Sequence, residues 1–132
     1  MKNFINIFKI ILLFVFIPVV SKACIYDFNV LDAKGKKIEK DIQHKNGDVI
    51  VLEVTWKQKH RGCDVDISET KFNVDGFKII SNPKWETIDR DSYSKKLKLK
   101  VIDNKKSTSS IIFTRNCDRG IQTKSFIINK NK

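Results

Sequence analysis

Two stretches of this chain alternate so regularly between apolar and polar residues that they read only as β-strands. In DVIVLEVTW, residues 48–56, the side chains of Ile50, Leu52, Val54 and Trp56 share one face, while Val49, Glu53 and Thr55 share the other. In KKLKLKVI, residues 95–102, Leu97, Leu99 and Val101 face one way and Lys96, Lys98 and Lys100 the other. Successive side chains of a strand point to opposite faces, so this period of two predicts strands with one face in a core and one in water. No stretch sustains the 3.6-residue stripe of an amphipathic helix, which excludes helical bundles and alternating α/β folds.

The rest of the chain is punctuated to match. IYDFNVL (25–31) reads as a short strand and DAKGKK (32–37) as a turn. After KKIEKDIQH, Asn46-Gly47 is the strongest hairpin signal, because both residues tolerate positive φ. CDVDISETKFNV (63–74) predicts one or two strands broken near Ser68-Glu69. Asp75-Gly76 turns the chain into FKII, which SNP ends. DNKKSTSS (103–110) is a polar loop, SIIFTRNC (110–117) a strand, DRG a turn and QTKSFII (122–128) the final strand. Seven to nine short antiparallel strands predict an all-β, immunoglobulin-like sandwich, with a small barrel as the alternative. The tryptophan that antibody domains carry on their third strand is missing, since Trp56 falls on the strand before it.

The first 23 residues stand outside this pattern. Lys2 and Lys9 form a basic start, Ile10 to Val20 is an unbroken apolar run, and Ser21-Lys22-Ala23 offers small residues at −3 and −1 of a signal-peptidase cut. The run is far shorter than the roughly 20 residues that span a bilayer. The expectation is an exported protein, periplasmic or secreted, made of a signal peptide (1–23) and one domain (24–132). Cutting there would place Cys24 at the new N-terminus, where a lipid could be attached; of the lipobox positions only Ala23 fits, so a soluble form is favoured over a lipid-anchored one. The segment holds three lysines and no acids, which lowers the net charge from +11 for the whole chain to +8 for the 109 residues that follow.

Three cysteines in an exported chain predict one disulfide and one leftover. In immunoglobulin order Cys63 opens the third strand and Cys117 closes the sixth, and those strands are antiparallel neighbours. The expected bridge is Cys63–Cys117, which closes a loop of about 55 residues and would stabilise the fold by about 4 kcal/mol. A metal site is the competing reading, built from His60, Cys63 and Cys117 with His44, Asp64 or Asp118. A His-x-x-Cys spacing without a second close pair is a weak metal signal, and neighbouring thiols oxidise in an exporting compartment. No metal and no cofactor are expected.

A third reading comes from a resemblance. FKIISNPKWETIDRDSYSKKLKLKVI (77–102) places a Pro-x-Trp stretch before an acidic turn, a tyrosine and an alternating strand, and IIFTRNCDRG (111–120) ends a strand in a Cys–Gly loop. This half of the chain is similar to the N-terminal, immunoglobulin-like domain of the periplasmic thiol–disulfide interchange reductase. The resemblance implies the same fold and makes Cys117 the counterpart of that family's first active cysteine and Gly120 of its glycine. The second active cysteine is replaced, as Ile121 and Gln122 follow Gly120. Thiol–disulfide exchange needs two thiols, so this reading requires Cys63 as a displaced partner.

The outward ladder Lys96, Lys98 and Lys100 is a candidate surface for anionic lipid headgroups or acidic glycans, although charged residues also keep a sheet face soluble. No exposed aromatic ladder accompanies it, which argues against nucleic acid. Trp85, beside a turn, is expected to be packed, with a half-exposed position marking a contact surface as the alternative. No Gly-x-Ser-x-Gly or His-Glu-x-x-His motif occurs, and two histidines leave few general bases. The sequence therefore predicts a non-enzymatic binding or accessory module of the cell envelope, with an envelope or periplasmic protein as partner and redox carriage as the alternative.

Overall fold

The computed structural model describes residues 24–39, 43–59, 65–117 and 120–131. The expected signal segment lies outside them. Nine strands form: β1 (Cys24–Leu31), β2 (Lys37–Ile38), β3 (Val49–Gln58), β4 (Lys71–Asp75), β5 (Phe77–Ser81), β6 (Glu86–Asp89), β7 (Ser92–Val101), β8 (Thr108–Cys117) and β9 (Gly120–Asn129). One sheet runs β2–β1–β3–β7–β5, with β6 also paired to β7, and the other runs β4–β8–β9. Without the small additions β2 and β6, the seven remaining strands are divided and ordered as in the constant-type immunoglobulin sandwich. The expected all-β sandwich is the observed fold.

The alternation read from the sequence sets the core. Ile50, Leu52 and Val54 of β3 and Leu97, Leu99 and Val101 of β7 point inward, meeting Ile111 and Phe113 of β8. All of these but Ile50 have no measurable exposure, and each contributes about 1.5–3 kcal/mol by leaving water. Phe113 is the hub of an aromatic group, with its ring centroid 5.5 Å from Phe28, 5.6 Å from Phe72 and 6.3 Å from Tyr26.

At one end of the sandwich a polar network ties the loops together. Asp75 accepts hydrogen bonds from Asn104 (2.9 Å) and Lys106 (2.5 Å), and Lys130 donates to Asn104 (2.5 Å) and to the carbonyl of Ile102. Gly76 stands inside this network with φ +74°, and a Cβ there would lie 2.3 Å from Ser109 Oγ and 2.7 Å from Asn104 Nδ2. Only glycine meets both demands.

Three local expectations are corrected. Asn46-Gly47 does turn the chain, with Gly47 at φ +96°, but it makes no hairpin. The segment before it pairs with β1 at Lys37–Ile38 and bridges Lys130 through His44, while Gly47 and Asp48 bond to the backbone of Val101. β6 was not expected; ETID lacks a clean alternation and all four of its residues are exposed. The third strand of the sandwich begins at Lys71, and not at Cys63. Asp66 accepts a hydrogen bond from the Ser68 backbone N–H at 2.8 Å and caps a 3₁₀ turn over Ile67–Glu69, which holds the preceding residues off the ladder.

Candidate functional site

The end of the sandwich opposite the polar network gathers the unusual side chains. β8 continues its inward alternation past Phe113 to Arg115 and Cys117, so a guanidinium is carried into the interior with only 1% of its surface exposed. It lies over the Trp56 ring, 4.6 Å from the centroid, and Trp56 in turn packs on Tyr93 at 5.7 Å. Arg115 Nη1 donates to the carbonyl of Asp66 (2.7 Å) and to Thr70 Oγ1 (3.2 Å), and Nη2 donates to the carbonyl of Val65. A planar fork of donors suits this arrangement, because it satisfies two adjacent carbonyls while one face stays on the ring. The result is a clamp that pins residues 65–70 across the end of the core.

On the other side of that pinned segment is a cleft of about 470 Å³, floored by Ile67, Ser68, Asn82, Pro83 and Trp85. Into it projects Lys95. This residue occupies the inward position of β7 in register with Val54, one step before Leu97, and is 8% exposed. Its ammonium lies 5.6 Å from the Phe72 centroid and 5.5 Å from that of Trp85. Among the described residues no carboxylate or hydrogen-bond acceptor meets it, and desolvation holds its pKa below the ordinary lysine value. The two rings supply cation–π attraction to a side chain whose stem is buried and whose ammonium reaches the cleft. Asp66 and Lys84 complete the rim. The Asp66 carboxyl is held below the usual carboxylate range by its hydrogen bonds from Ser68, so it is ionised at neutral pH.

The residues singled out from sequence fall in several places. Lys96, Lys98 and Lys100 do form an exposed ladder on the outer face of β7, with Lys96 3.9 Å from Glu53 and Lys100 in register with Lys78 of β5. Trp85 is half-buried, packs against the core cluster and borders the cleft. Cys24 is the first residue of β1, in register with Gln58, and Cys117 is buried at the end of β8. Cys63, His60, Asp64 and Asp118 lie outside the described residues. Between described residues no disulfide is seen, and since β4 begins at Lys71 rather than at Cys63, the expected Cys63–Cys117 bond rests on the cysteine count of the sequence alone.

His44 is removed from the metal reading. It bridges Lys130 beside the Thr108 end of β8, whereas Cys117 closes the other end. Nine strand residues separate those ends, about 30 Å at the rise of a β-strand. Among the described residues no cluster of metal-ligating side chains exists.

Sequence reasoning passed over both Lys95 and Arg115, although the signal was present. Each is a cation standing at an inward position of a strand whose alternation is otherwise apolar, which is where an uncharged residue belongs. No family model, curated protein or solved structure matches the chain.

Proposed function

We propose that this chain is an exported, non-enzymatic binding module of the cell envelope, stapled by Cys63–Cys117, which holds its ligand or partner in the Lys95 cleft. The observation that carries this reading is Lys95, a side chain buried at an inward strand position whose ammonium reaches the cleft and meets no hydrogen-bond acceptor among the described residues. A fold selected for stability alone would place an apolar residue there, and sites that cost stability are characteristic of function. The lysine ladder on β7 is a second surface by which an anionic envelope component would be met.

Thiol–disulfide exchange is the second reading. The burial of Cys117 favours a staple, because exchange requires a thiolate to reach a sulfur from solvent.

The test uses the mature protein recovered from the periplasm. Its N-terminal mass is expected to correspond to a chain starting at Cys24, and its disulfide to show a reduction potential below about −300 mV. A mass that includes residues 1–23 would defeat the export reading. A potential in the range of thiol oxidoreductases, near −120 to −270 mV, would replace the binding module with the carrier.

A further inference from the structure

Resting on the reading of the Lys95 cleft as a ligand site, we infer that its ligand is a small monocarboxylate carried on a flat ring. Three properties of the cleft select this class.

The first is charge. Among the described residues Lys95 and Lys84 supply two cations to the rim and Asp66 one anion, a net of +1. Asp66 is fixed in place by its bond to the Ser68 N–H and stays ionised at neutral pH. A monoanion neutralises Lys95 without confronting Asp66, whereas a phosphate dianion would bring a second negative charge toward that carboxylate.

The second is shape. Pro83 and the half-buried Trp85 line the cleft beside Lys95, and their apolar surface suits a ring better than an extended polar chain. Ser68 and Asn82 border the same space and offer hydroxyl and amide groups to the second carboxylate oxygen. Binding would give the Lys95 ammonium the charge-assisted hydrogen bond it lacks among the described residues.

The third is size. About 470 Å³ lies near the lower end of the range for small-molecule sites, room for a molecule of one or two rings and too little for a folded polymer segment. The site is also firmly built. Its back wall is the segment that Arg115 clamps from within, and its floor lysine is on the central strand β7, so the cavity is formed before ligand arrives.

The test is an NMR titration of the mature ¹⁵N-labelled protein with phenylacetate, acetate, phenylacetamide, phenyl phosphate and inorganic phosphate. Phenylacetate is expected to shift the amides of residues 66–68, 82–85 and 95 in a saturable manner. Acetate, which lacks the ring, and phenylacetamide, which lacks the charge, are expected to bind at least tenfold more weakly, and phenyl phosphate several-fold more weakly. Lys95→Met should weaken phenylacetate at least tenfold while melting no lower than the wild type. Asp66→Asn, which keeps the cap on Ser68, should raise the affinity for phenyl phosphate several-fold and change that for phenylacetate little. If phenyl phosphate or phenylacetamide binds as well as phenylacetate, the ligand class is wrong although the cleft is a site. If none of the five probes shifts the cleft amides, the inference and the reading of the cleft as a site both fall.

Discussion

Replacing Arg115 tests whether the clamp holds this end of the molecule together. Among the described residues the guanidinium makes two hydrogen bonds to backbone carbonyls, one to Thr70 and a face contact with Trp56, all with 1% exposure. A hydrogen bond from a charged donor contributes about 1.5–3 kcal/mol, and a desolvated cation–π contact about 2 kcal/mol. Simple addition overstates a coupled group, and about 4–6 kcal/mol is the expected loss for Arg115→Ala. Domains of this size have about 5–15 kcal/mol in total, so the alanine variant is expected at the edge of folding. Arg115→Lys is the sharper test. It keeps the charge and most of the stem but cannot bridge two carbonyls in one plane, so about 2–4 kcal/mol should be lost. Urea unfolding followed by Trp56 fluorescence would read the difference as a fall in midpoint at unchanged slope. A lysine variant within about 0.5 kcal/mol of wild type would show that the fork geometry contributes nothing and would refute the clamp.

Three further predictions rest on single groups. Lys95→Met should raise stability at neutral pH by about 0.5–2 kcal/mol, the range of gains when a functional residue is replaced by one that suits the fold. Because the Lys95 pKa is lowered on folding, the unfolded chain binds more protons in the alkaline range below 10.5, so wild-type stability should rise with pH there and the methionine variant should lose that rise, as measured by melting temperature from pH 7 to 10.5. Asp75, whose pKa is lowered by its hydrogen bonds from Lys106 and Asn104, contributes stability that is present above its unfolded value of 3.8 and disappears as pH falls through the folded value; Asp75→Asn should therefore flatten the acid limb of an unfolding-versus-pH curve. Gly76→Ala should cost about 2–3 kcal/mol in urea unfolding, from positive φ and the approach to Ser109 and Asn104, whereas Gly35→Ala, with open space around it, should cost about 1 kcal/mol; equal losses at both sites would remove the role given to the network.

The strands that could be read in advance are those with one buried face, since burial on one side forces alternation. β3, β7 and β8 are of that kind, and so the sandwich followed from pattern, whereas the pairing of β3 with β7 is seen only in the structure. β6 carried no such signal, because a strand exposed on both faces has no reason to alternate. Asn46-Gly47 announced a turn correctly, but the partner of a strand is chosen by long-range packing, and the hairpin it promised was replaced by bonds to Val101. At the site the difficulty was different. The sequence reading assigned Lys96, Lys98 and Lys100 to the outer face and left Lys95 without a role, although its parity places it with Leu97 and Leu99. The cleft itself joins residues 66–68, 82–85 and 95, and nothing local to any one of those stretches tells that the others will be beside it.

In antibody domains the second and sixth strands are fastened to one another across the sandwich by a disulfide. Here β3 and β8 occupy those places, and the stack of Arg115 on Trp56 spans them. A disulfide has to wait for an oxidant and takes seconds to hours to form. A stacked side chain forms as the strands meet. The two sheets of this molecule can therefore close on a newly delivered chain in any redox environment, and refolding from denaturant should recover the joined sandwich with every thiol still reduced.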